Sequence, residues 1–163
     1  MRRSNYFRHL VTPIKRTFKY PIPEFGGVYS VDVWVFRGAE SRGYPFLEVP
    51  RKMAFIAVAA YAHPPLLSPT RLREDFAGFT KQKIRAILNI GLNHGHDSLV
   101  LSAFGCGAFA NPPEHVSLLF AQVLAEERFR NRFRRVVFSI IDDHNARSPK
   151  GNFAPFSSTF SGF

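Results

Sequence analysis

Apolar residues fall into two rhythms along the chain. VDVWVF (31–36) alternates and is β-branched or aromatic, which predicts a strand. MAFIAVAA (53–60) is continuously apolar and reads as a strand buried on both faces. From Leu72 through Phe76, Phe79, Ile84, Ile87, Leu88 and Gly91 the apolar positions recur three to five apart, with Lys81, Lys83 and Arg85 opposite them. This spacing predicts a helix ending near NHGHD, where Gly95 can take a left-handed turn. SLVLSAF (98–104) predicts a second buried strand. A helix carrying Val116, Leu119, Phe120, Val123 and Leu124 on one face follows, and RVVFSII (135–141) makes a further strand. Strands alternating with helices of this length predict an α/β fold of three layers, with helices on both faces of a mainly parallel sheet.

Between the strand at 98–104 and the helix after it, FGCGAFANPPE (104–114) joins great backbone freedom to a rigid helix start. Asn111 suits an N-cap, Pro112 the first helical position, and Glu114 the closing member of a capping box. Gly105 and Gly107 permit conformations in which successive N–H groups face one anion at close range. A strand end, a glycine loop and a helix start together hold phosphates without a charged side chain, and Phe109 offers a surface for a sugar or base. The loop is neither a Walker motif nor a Rossmann fingerprint, since it lacks Gly-Lys-Ser/Thr and has Ala110 where a third glycine belongs.

Length and charge narrow the partners. At 163 residues the chain suits one domain with a sizeable core, and its single cysteine, Cys106, forms no internal disulfide, which favours a reducing cytoplasmic or nuclear setting. The net charge of +10 favours polyanions, whether nucleic acid, polymeric ADP-ribose or anionic lipid. Arg2, Arg3, Arg8, Lys15, Arg16 and Lys19 crowd residues 1–19 without an acid, as in a solvated terminus, a nucleic-acid-binding arm or a mitochondrial transit peptide. RFRNRFRR (128–135) offers Arg128, Arg130, Arg132 and Arg134 to a polyanion, or else compensates a helix C-terminus around two core phenylalanines.

Taken with YPIPEFGGVYSVDVWVFRG, FRRVVFSIIDDHN and NFAPF, the segment LVLSAFGCGAFANPPEHVSLLFAQVL resembles the microbial-type poly(ADP-ribose) glycohydrolase family, of macrodomain fold, from about Tyr20 to Phe156. The resemblance implies ADP-ribose diphosphate contacts from Gly105, Cys106, Gly107 and Ala108, and a ribose contact from Phe109. Asn152 and Phe153 match the family's C-terminal pattern on the adenine side. No cofactor or metal is implied. The family's catalytic signature is a triple glycine followed by Gln-Glu-Glu, upstream of the matched region. This chain has no three consecutive glycines, and neither Gln82 nor Gln122 precedes a glutamate.

The expectation is therefore a macrodomain-like ADP-ribose-binding domain over 20–156, shortened at its N-terminal side, with a flexible tail at 157–163. It binds without cleaving, because breaking a ribosyl bond needs a carboxyl group at the leaving oxygen. The alternatives are an active glycohydrolase whose acid lies elsewhere, with Glu24, Asp32, Glu40 and Glu48 as the upstream carboxylates, or a basic nucleic-acid-binding protein. Asp142, Asp143 and His144 lack ligand spacing for a metal and read as a solvated strand end. His94 and His96 read as exposed loop residues, and Cys106 as a small packing residue.

Overall fold

The computed structural model describes residues 21–146 and 148–162; the basic segment at 1–19 lies outside them. Contacts gather into two compact units, one containing Gly27–Ala57 and the other Glu24–Gly26 with Val58 onwards.

The first unit is an antiparallel hairpin of β1 (Val28–Arg37) and β2 (Phe46–Ala57), with Tyr29 opposite Ile56 and Val33 opposite Met53. A bulge between Ser30 and Val33 places Asp32 at φ 58°, where its carboxylate meets Lys52 at 3.1 Å. The strand expected at 53–60 thus ends at Ala57 and starts at Phe46, and none of its residues is fully buried. Its partner is the preceding strand of the same hairpin, and every apolar residue along it keeps some exposure to solvent.

In the second unit a small antiparallel pair, β3 (Leu66–Ser68) and β4 (Arg71–Leu72), leads into α1 (Glu74–Asn93). Gly95, at φ 74°, ends α1 as its spacing predicts. The N–H of Gly95 donates to the Leu92 carbonyl and that of His96 to the Gly91 carbonyl, so two end carbonyls are satisfied. Strand β5 (Ser98–Leu101), helix α2 (Pro113–Leu124) and strand β6 (Arg135–Phe138) follow, with β5 and β6 parallel. This is the one parallel pair among the described strands, where a mainly parallel sheet was expected. Leu99 is buried, but Val100 and Val137, which face each other across the pair, are exposed. The Asp97 carbonyl accepts the N–H groups of Arg134 and Arg135 and sets the register.

Helix α1 lies on β5 at Gly91, where an added Cβ would sit 3.1 Å from Leu99. The α1 residues Ile84 and Leu88 and the α2 residues Val116, Leu119, Phe120 and Val123 form the core, all at 2% exposure or less. The last helix, α3 (Phe153–Phe160), closes it: Phe138 stands 5.2 Å from Phe120, 5.1 Å from Phe156 and 4.7 Å from Phe160, centroid to centroid. Residues 157–160, expected within a flexible tail, are therefore helical, because Phe156 and Phe160 bury apolar surface worth more than the freedom lost. Arg85 grips Glu126 through two nitrogens and ties α1 to the end of α2.

Helix α2 also carries His115, buried, whose Nδ1 accepts the Leu72 N–H at 3.0 Å. Burial first, and the nearby Arg71 charge next, hold its pKa below the usual 6.5. The unfolded chain then takes up the proton first as pH falls, so this contribution is complete above about pH 6.5 and shrinks below it. Urea unfolding between pH 7.5 and 5 is expected to show falling stability, and His115→Gln, which keeps an acceptor without titrating, to flatten that fall.

Candidate functional site

The loop after β5 turns immediately. Cys106 donates its N–H to the Ala103 carbonyl at 3.0 Å, Ala110 to Gly107 at 2.9 Å, and Asn111 to Gly105 at 3.0 Å. Gly105 adopts φ 75°, and a Cβ there would lie 2.6 Å from Asn111 Nδ2 and 2.7 Å from the Ala60 Cβ. Both conformation and space therefore require glycine at 105. Gly107 has no positive φ, and its Cβ would meet only the Asn145 Cβ, at 3.6 Å. The structural demand falls on the first glycine alone; the second leaves an open approach beside Asn145.

Asn111 is not the N-cap. Pro112 holds that position, α2 begins at Pro113, and no side chain caps the helix. Instead the buried Asn111 amide turns back into the loop, where Nδ2 donates to the carbonyls of Tyr61 at 2.7 Å, Gly105 at 2.9 Å and Phe109 at 3.3 Å. Two hydrogens serve three acceptors, so the longest contact is a shared one. The Phe109 carbonyl also takes the His63 N–H at 2.8 Å. His63 and Ala110 are both held in the left-handed region, at φ 50° and 56°, which persists only where surrounding bonds enforce it. The physical reason for the departure is the burial of Asn111: its amide finds three carbonyls in the loop and at Tyr61, while a helix start opening on two prolines has fewer N–H groups to cap. Glu114 closes no capping box and accepts the Ser148 hydroxyl at 3.0 Å.

The N–H groups of Gly107, Ala108 and Phe109 meet no acceptor among the described residues, whereas that of Cys106 is already committed. The loop thus carries three successive N–H groups without an acceptor among the described residues, beside a Phe109 that is 45% exposed. The Cys106 thiol is buried, and burial, helped by Glu114, pushes its pKa up to about 12. It packs and stays protonated.

Beside this loop runs the segment after β6. Asp142 Oδ1 accepts the N–H groups of Asn152 at 2.6 Å and Phe153 at 3.1 Å, at the start of α3. Gly151, at φ 69°, has no room for a Cβ against that carboxylate. Asp143 accepts the Asn145 N–H, which holds its carboxyl below the ordinary range. Both aspartates bind backbone, and no cluster of three or more metal-ligating side chains occurs among the described residues. Asn152 is buried with Oδ1 unpartnered among the described residues, and Phe153 beside it is 55% exposed.

The arginine run divides. Arg130 reaches the Ala125 carbonyl beyond α2, Arg128 meets Glu126, Arg134 meets Asp97, and Phe129 is buried. A cavity of about 330 Å³ lined by Phe133, Arg134, Arg135, Phe138 and Phe160 lies along β6 and includes no residue of the glycine loop. Two buried polar residues went unread in the sequence as functional supports, His115 and Lys83. Lys83 stands on the charged stripe of α1, and only its contact with Glu24, far away in the chain, reveals its burial.

Unpaired N–H groups at the carboxyl end of a parallel strand, with a helix behind them, form an arrangement that can hold an anion in an α/β domain. No family model matches the sequence, and no curated protein does. Among solved structures it is similar to the poly(ADP-ribose) glycohydrolase of Deinococcus radiodurans in complex with ADP-ribose, at 25% identity and a TM-score of 0.67, over 82% of this chain and 51% of that one. It is also similar to the poly(ADP-ribose) glycohydrolase of Thermomonospora curvata, at 32% identity and a TM-score of 0.68, over 81% and 46%. The chain resembles the microbial poly(ADP-ribose) glycohydrolases and spans about half the length of the solved structures it matches.

The two glycines are separable by experiment. Gly105→Ala should lower unfolding stability by about 2 kcal/mol or more, from the left-handed backbone and the blocked Cβ. Gly107→Ala should change it by less than about 0.5 kcal/mol. Urea unfolding of both variants measures the difference.

Proposed function

We propose that this chain binds ADP-ribose, free or as a unit of poly(ADP-ribose), at the loop after β5, and that these residues do not cleave it. The observation that carries the reading is the row of unpartnered N–H groups at Gly107, Ala108 and Phe109 beside an exposed aromatic ring. Backbone donors of this kind hold a diphosphate without a counter-charge, and Gly105 supplies the turn that aligns them. The Phe109 ring packs on the ribose, and Asn152 with Phe153 faces the adenine side. Cys106 contributes to the wall of the loop by packing, its own N–H being spent within the turn. The ADP-ribose bound by the Deinococcus radiodurans protein supports this ligand class.

Hydrolysis needs a carboxyl group poised at the glycosidic oxygen. The sequence contains no triple glycine or Gln-Glu-Glu, and the carboxylate of Glu24, one of the upstream alternatives, accepts the Tyr61 hydroxyl. Arg128, Arg130, Arg132 and Arg134 add affinity for a polymer by countering further phosphates, an effect that salt weakens.

Calorimetric titration with ADP-ribose tests the site. Gly107→Val should abolish binding while the protein stays folded, and Phe109→Ala should weaken it by about 1 kcal/mol, roughly fivefold. Incubation with poly(ADP-ribose) should release no ADP-ribose above a protein-free control. Tight oligonucleotide binding that survives Gly107→Val, with no binding of ADP-ribose, would replace this reading with a nucleic-acid one.

A further inference from the structure

Lys83 is 3% exposed, a costly position for an ammonium group. Its Nζ donates to the Glu24 carbonyl and lies 4.3 Å from the centre of the Tyr61 ring and 5.7 Å from that of Phe25. Glu24 and Phe25 belong to the segment leading into the β1–β2 hairpin, and Tyr61 to the segment leading out of it. Tyr61 is held at several points: its hydroxyl donates to the Glu24 carboxylate, and its ring packs edge-on against Phe76 at 5.0 Å and beside Phe79 at 6.3 Å. Its carbonyl is one of the three acceptors of Asn111. The stretch around Tyr61 belongs to no strand or helix, so these contacts, with the His63 N–H to the Phe109 carbonyl, set its place.

We propose that Lys83 is the positioning residue of the ligand loop: by gripping the Glu24 carbonyl and the Tyr61 ring together it fixes the Tyr61 carbonyl, and through Asn111 the path of Gly105 to Phe109. Lys83 touches none of the loop donors itself. A cation on an aromatic face is directional in a way an alkyl chain is not, which is the physical reason for a lysine where methionine would fill the same space at lower cost. A displaced Tyr61 would remove the one acceptor outside the loop that orients the Asn111 amide, so the side chain could turn and the two loop carbonyls it holds would move with it. His63, two residues on, would carry the same shift to the Phe109 carbonyl.

The consequence for ligand affinity rests on the binding reading above; the consequence for the loop does not. Amide hydrogen exchange on the ligand-free protein therefore comes first. Lys83→Met should accelerate exchange of the His63, Ala110 and Asn111 amides about tenfold or more, while the α2 amides from Leu119 to Val123 keep their protection. Lys83→Arg, which retains a cation and donors, should restore most of it. ADP-ribose affinity should fall at least about tenfold in Lys83→Met and recover in Lys83→Arg. Should Lys83→Met fail to fold, Tyr61→Leu, which removes the gripped ring, should give the same local pattern. Unchanged exchange at the three amides, or equal acceleration throughout α2, overturns the proposal, as does local acceleration without loss of affinity in a parent protein that binds. A parent that binds no ADP-ribose refutes the binding reading and leaves the exchange result to decide the role of Lys83.

Discussion

One buried amide group organises the candidate site. Asn111 Nδ2 reaches carbonyls from two separate stretches of chain, Tyr61 on one side and Gly105 and Phe109 on the other, and ties them to one point. The left-handed conformations at Gly105, Ala110 and His63 persist because these bonds close around them. The carbonyls thus point inward to Asn111, and the N–H groups of residues 107–109 are left without internal partners. A loop with unused donors is ordinarily unfavourable; here a rigid frame holds it in place.

The frame is the hydrophobic core. Helix α2 presents Val116, Leu119, Phe120 and Val123 to α1 and the parallel pair, so the position of Pro113 after the loop follows from side chains up to three turns away. Phe120, Phe138 and Phe156 perform the same service for the segment after β6, fixing α3 and with it the Asp142 bonds. Large aromatics suit this task because each ring fills space that smaller side chains would leave open, and loss of one costs about 3–5 kcal/mol. The two loops lie side by side because two helices are locked against the same pair of strands.

Much of this was legible in the chain. The helical spacing from Leu72 to Gly91, the stop at Gly95 and the strand–glycine loop–helix order all depend on local pattern, which one sequence displays. What failed depended on tertiary partners. Asparagine before proline suits an N-cap, and nothing nearby in sequence announces the Tyr61 carbonyl fifty residues back. FLEVPRK (46–52) carries a proline and three charges and reads poorly as a strand, yet it pairs with β1 because the hairpin continues past the apolar run. Lys83 looked solvated for the same reason: its partner lies 59 residues away. The resemblance located the loop, and the bonding around it distinguished the glycine that shapes the backbone from the one that leaves space.

The proline after Asn111 also has a chemical consequence over time. An asparagine side chain ages by deamidation when the nitrogen of the next peptide bond attacks its amide carbon, which requires that nitrogen to lose a hydrogen. Pro112 has none to lose. The route that would turn Asn111 into an aspartate, placing a negative charge against three carbonyl oxygens, is therefore closed by its neighbour. The side chain on which the loop depends is protected against slow chemical damage by the same residue that stands at the helix N-cap.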